Sequence, residues 1–68
     1  MADPVYKKIQ LVGTSTESFS AAAAIAIAKA GESVRNMSWF EVVEQRGSIA
    51  DGKIQQYQVT VDVGFRVE

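Results

Sequence analysis

Asp51-Gly52 lies between two long strand-like runs, and no other feature constrains the fold as much. A two-residue type I′ turn needs positive φ at both central positions, which Asp-Gly tolerates, and its twist suits a β-hairpin. The run after the turn, Lys53 to Val67, alternates strictly over most of its length. Tyr57, Val59, Val61, Val63, Phe65 and Val67 share one face, while Gln56, Gln58, Thr60, Asp62, Gly64 and Arg66 share the other. A period of two with one apolar side is a strand lying on a core. The run before the turn is predicted as a strand from about Val34 to Ile49.

The turn also sets the register. With Ala50 opposite Lys53, an unbroken ladder puts Phe40 opposite Val63 and Val42 opposite Val61, extending the core. Trp39 then faces Gly64, Glu41 faces Asp62, Val43 faces Thr60 and Gln45 faces Gln58, all on the polar side. The same ladder sets Glu44 on the apolar side, opposite Val59. Either a bulge intervenes, shifting faces by one residue, or Glu44 lies at the sheet edge beyond the helix.

The remainder of the chain reads as one strand and one helix. Val5 to Val12 is a strand with Val5, Lys7, Ile9 and Leu11 on one side and Tyr6, Lys8, Gln10 and Val12 on the other. Gly13 to Ser18 breaks it and offers several N-caps. The helix is expected from about Ser18 to Gly31 or Ser33, with Lys29 complementing its C-terminal dipole. It is alanine-rich nearly all round. Ala22, Ala26 and Ala30 form one row, and Phe19, Ala23 and Ile27 the next. Small side chains permit close approach of a sheet or another chain. A high-propensity helix with an exposed alanine face fits equally well. The order is strand, helix, strand, strand, an α+β arrangement forming one domain over residues 1-68.

Composition removes several function classes. The 68 residues include neither Cys nor His, so disulfides and Cys/His zinc sites are excluded. A chain this short buries too little surface to be comfortably stable alone, which leaves subunit association as the common remaining support. Seven basic against eight acidic residues, net charge -1, argues against a nucleic-acid partner. The start, MADPVYKK, carries an acid and a proline where a signal peptide has a basic start and an apolar run. The longest apolar stretch falls far short of the roughly 20 residues that span a bilayer. A soluble, cytoplasmic protein without a membrane partner is expected. The commonest acid-base and nucleophilic groups are missing, and no hydroxyl or carboxylate is grouped with a convincing base. The chain is not expected to be an enzyme.

The polar face holds the candidate site residues. Trp39 there has three readings: packing at a subunit interface, a stacking platform for a flat ligand, or a lone exposed apolar residue. The Gln58 amide donates and accepts at once, which suits the edge of a heterocycle. Six residues at about 3.3 Å each separate the Trp39 and Gln58 rows by roughly 20 Å, so one ring system meets both only if they come from different subunits. Arg46 and Arg66 carry the fork that suits phosphate. Pairing with Glu44, Glu68 or Asp62 is the other reading.

Taken together, VYKKIQLVGTS, the alanine-rich helix, SWFEVVEQRG and YQVTVDVGFRVE resemble the dodecins, small flavin-binding proteins. The resemblance covers almost the whole chain. It implies a β-α-β-β subunit whose three-stranded antiparallel sheet wraps around the helix, assembling into a hollow homododecamer. It implies flavins bound in pairs at subunit interfaces, stacked between two tryptophans in the position of Trp39. Gln58 matches the glutamine that bonds the isoalloxazine edge. Arg46 and Arg66 match basic positions of bacterial members, which handle FMN, and would neutralise its phosphate. Riboflavin and other flavins are further ligands, and coenzyme A is associated with some bacterial members. The implied function is storage and protection of flavin, with quenching by the indole. A shell protein without a ligand is the main alternative, and a flavin-dependent redox enzyme a weaker one.

Overall fold

A computed structural model describes residues 3-68. The elements run β1 (Val5–Ser15), α1 (Phe19–Ala30), β2 (Met37–Ala50) and β3 (Lys53–Val67). The three strands form one antiparallel sheet in the order β1-β3-β2, so the strictly alternating strand lies in the middle. The α+β arrangement expected from the sequence is the one found. The subunit is elongated, 57 × 20 × 13 Å, because the β2–β3 hairpin projects past the helix.

The turn forms as expected, with φ of 54° at Asp51 and 72° at Gly52. Ala50 pairs with Lys53. The helix begins later than the first residue expected: Ser18 is its N-cap, in extended conformation, and its hydroxyl accepts from the Ala21 amide at 3.0 Å. A cap of this kind is worth about 1 kcal/mol. Ser18→Ala is therefore expected to lower unfolding free energy by about 1 kcal/mol, and Ser18→Asp to restore it, in urea titrations. Gly31 closes the helix in right-handed conformation, its amide donating to Ile27. Asn36, at φ 63°, turns the chain into β2. The second strand accordingly starts at Met37, not near Val34.

β1 runs on through Gly13 to Ser15, where a break after Val12 was expected. The reason is the helix. Ala22, Ala26 and Ala30 are buried, and a Cβ on Gly13 would collide with the Ala22 carbonyl oxygen and lie 2.8 Å from the Ala26 Cβ. The alanine row is thus the face that lies on the sheet, and it descends far enough to touch strand backbone. Val59, Val61 and Val63 complete the buried core, flanked by Ile9, Leu11 and Phe19.

The helix covers β1 and β3. On the β2 side a trough of about 800 Å³ is left, lined by Phe19, Ala23, Ile27, Phe40, Val42 and Val59 among others. Phe40 and Val42 remain about half exposed, although their strand partners Val63 and Val61 are buried.

The β2–β3 ladder departs from the unbroken one at three points. Near the turn, Ile49 pairs with Ile54 but Ser48 with Gln56, leaving Gln55 extra on β3. Further along, Glu44 pairs with Thr60 but Val42 with Val61, leaving Val43 extra on β2. The third lies between Met37 and Trp39. The first two cancel. Phe40, Glu41, Val42 and Trp39 therefore keep the partners expected for them, while the segment between is slipped by one. Gln45 faces Val59, not Gln58, and joins the lining of the trough. Arg46 takes the place opposite Gln58. Glu44 leaves the apolar side for Thr60, and Val43 has no partner there.

Candidate functional site

The outer face of the sheet, away from the helix, is a series of cross-strand rows. Tyr6 stands beside Arg66. Then come Lys8, Gly64 and Trp39, followed by Gln10, Asp62 and Glu41. Val12, Thr60 and Glu44 are next, and Thr14, Gln58 and Arg46 last. All four residues singled out from the sequence lie on this face, but in two groups. Trp39 and Arg66 stand near one end and Gln58 and Arg46 near the other.

Trp39 is 40% exposed. Its six-membered ring lies where a Gly64 side chain would be, in contact with the position of the missing Cβ. The glycine is a seat under the indole, so the ring is covered from below by β3 rather than left bare on both sides. Tyr6 meets it edge-on, with ring centroids 5.1 Å apart and planes at 64°, an arrangement aromatic pairs favour. The sequence placed Tyr6 on the same side of β1 as Lys8, Gln10 and Val12, without a role. The signal that finds it is the β1–β3 pairing, which sets it diagonally across Gly64 from Trp39.

Next to the indole, the Lys8 ammonium bonds Glu41 at 2.8 Å and approaches Asp62 at 3.7 Å. Asp62 also accepts from the Gln10 amide at 2.9 Å. The Glu41 carboxylate, with Asp62 in support, raises the pKa of Lys8 above its ordinary value. This exposed pair is a surface interaction of small energetic weight. The stability that the raised Lys8 pKa contributes is complete at neutral pH and is lost as pH rises through the alkaline range where Lys8 deprotonates.

At the far end Arg46 Nε donates to Gln58 Oε1 at 2.7 Å, and Gln58 Nε2 donates to Gln56 at 2.9 Å. The guanidinium thus fixes which way the Gln58 amide points. Ion pairs among the described residues use Lys8 and Lys29, and neither Arg46 nor Arg66 takes part in one. Cavities of the single subunit keep the groups apart: Trp39 borders one with Met37 and Phe40, Arg46 another with Ile49 and Tyr57, and Arg66 a third with Asn36 and Glu68.

A family model described as Dodecin matches residues 5–68. The chain belongs to the dodecin family. It is 50% identical over 64 residues to the dodecin of Thermus thermophilus, covering 94% of this chain and 93% of that one. It is 38% identical over 64 residues to a Mycobacterium tuberculosis protein called calcium dodecin, covering 93% and 89%. The solved structure of a Thermus dodecin variant, with a tryptophan replaced by phenylalanine, superposes with a TM-score of 0.92. That match is at 47% identity and covers 97% and 98% of the two chains. Membership of this family makes the chain a small binding protein and not an enzyme. No helix among the described residues is long and apolar enough to cross a membrane.

Proposed function

We propose that this dodecin assembles as a hollow homododecamer in the cytoplasm and stores FMN or related flavins in pairs at subunit interfaces. The observation that carries this is the indole of Trp39, seated on Gly64 with its other face open on an otherwise polar sheet. Pure packing has little use for a flat aromatic there surrounded by Lys8, Glu41 and Arg66. A stacked heterocycle does.

Trp39 and Gln58 lie six β3 residues apart through their partners Gly64 and Gln58 itself, roughly 20 Å at 3.3 Å per residue. No single isoalloxazine spans that distance, so one flavin takes its stacking surface from one subunit and its edge contacts from another. Gln58, its amide already oriented by Arg46, meets the ring edge, which carries both donor and acceptor groups. Arg46 and Arg66 neutralise the phosphate of FMN. Stacked against the excited ring, the indole transfers an electron and quenches it, which limits flavin photochemistry. Coenzyme A is a second candidate ligand on the family resemblance alone. Calcium, the ion in the mycobacterial relative's name, has weaker support: the described residues of one subunit include no group of three or more His, Cys, Asp or Glu side chains placed to hold a metal ion.

The test is a flavin titration of ligand-stripped protein, with FMN and riboflavin followed in parallel by flavin fluorescence. Saturable, near-complete quenching is expected, with FMN bound more tightly than riboflavin. Equal affinities would remove the arginines from the site. No quenching by either flavin would leave a shell protein in which Trp39 serves assembly.

A further inference from the structure

We propose that Tyr6 is a positioning residue for Trp39, fixing the angle at which the indole is presented on the outer face of the sheet. The role for which it does so rests on the flavin reading above, but the geometry stands by itself. β1 and β2 flank β3, and two strand spacings of about 4.8 Å separate them. Side chains on the two outer strands are ordinarily kept apart by whatever stands on the strand between. At position 64 nothing stands there. Trp39 leans across β3 through that gap, its benzo ring over Gly64, and so comes within reach of β1.

Two residues of β1 could receive it. Lys8 is the one in the same row, opposite Gly64. Its ammonium is drawn the other way, into the next row, by Glu41 at 2.8 Å and Asp62 at 3.7 Å. That leaves the side toward Arg66 to Tyr6, whose ring abuts the indole at 5.1 Å and 64°. The indole thus lies over Gly64 and against the tyrosine ring, while Lys8 is tied to Glu41 in the neighbouring row. An exposed tryptophan without such a stop samples several rotamers. A stacking platform gains from being held in one, because ordering it on binding costs affinity.

Trp39 is the sole tryptophan, so indole signals report on this side chain alone. The experiment compares wild type, Tyr6→Val and Tyr6→Phe, first without flavin and then with FMN. In unliganded Tyr6→Val, the near-UV circular dichroism band of the indole is expected to fall and its fluorescence anisotropy to decay faster, at unchanged far-UV spectrum and particle size. FMN affinity is expected to drop roughly 5-fold, the range of one edge-on aromatic contact. Tyr6→Phe, which keeps the ring edge, is expected to match wild type in all three readings. Indole signals unchanged in Tyr6→Val would overturn the proposal, as would a loss equally large in Tyr6→Phe. Altered indole signals in a protein that binds no flavin would sustain the positioning role and sink the flavin reading instead. Should Tyr6→Val fail to assemble, selectively labelled wild type decides: a cross-peak between Tyr6 ring protons and the Trp39 indole is expected, and its absence refutes the contact.

Discussion

Trp39→Ala is expected to lower FMN affinity by roughly 30- to 150-fold and to restore the emission of any flavin still bound. Stacking of a base on an aromatic side chain is worth about 1–3 kcal/mol when that side chain is truncated, and the three fused rings of an isoalloxazine, larger than a base, put the expected loss in the upper part of that range. The two effects share one cause, since the indole is both platform and quencher. Gly64 faces the ring across the ladder and is buried, so removing the indole also bares β3 backbone without putting a side chain in its place. Isothermal titration and steady-state flavin fluorescence on the same samples check both halves. Unchanged affinity with unchanged quenching would take Trp39 out of the site altogether.

Gly13→Val is expected to cost about 3 kcal/mol or more, the upper range for overpacking a close contact, and to prevent the subunit folding at all if the helix cannot lift. The neighbours that a Cβ would meet are the Ala22 carbonyl and the Ala26 Cβ. Neither is the end of a flexible chain that can swing aside. Relief requires translation of the whole helix away from the sheet, which would part Ala22 and Ala26 from Val59, Val61 and Val63. Chemical denaturation followed by far-UV circular dichroism measures the loss. A variant with wild-type stability would mean that the helix does not sit as close to β1 as the alanine row allows.

Much of this was legible in the sequence, for reasons that particular residues make plain. Asp51-Gly52 defined the hairpin, and strict alternation from Tyr57 to Val67 defined which side of β3 is core. Trp39 could be placed opposite Gly64 from the turn alone because the extra Gln55 on β3 is cancelled by the extra Val43 on β2. Between those points the same counting fails by one residue, which is why Gln45 was set against Gln58 when Arg46 stands there. Neither bulge has a composition of its own, since Val and Gln are unremarkable in strands. Glu44 was the only trace: a charge on the core side of an unbroken ladder signals that the ladder is broken. The alanine row announced a close approach but not its target, because Gly13 read as a break and not as the floor beneath the helix. Tyr6 could not be found without knowing which strand lies between β1 and β2.

The uneven reach of the helix carries a last consequence. The apolar side of β2, with Phe40 and Val42, is left about half exposed beside the trough. In the proposed assembly the subunit keeps part of its stabilising burial in reserve and gains it on meeting other copies. For such a chain, folding and assembly are linked by mass action. Its melting temperature is then a function of dilution as much as of sequence, and a thinly expressed subunit and an abundant one are thermodynamically different materials.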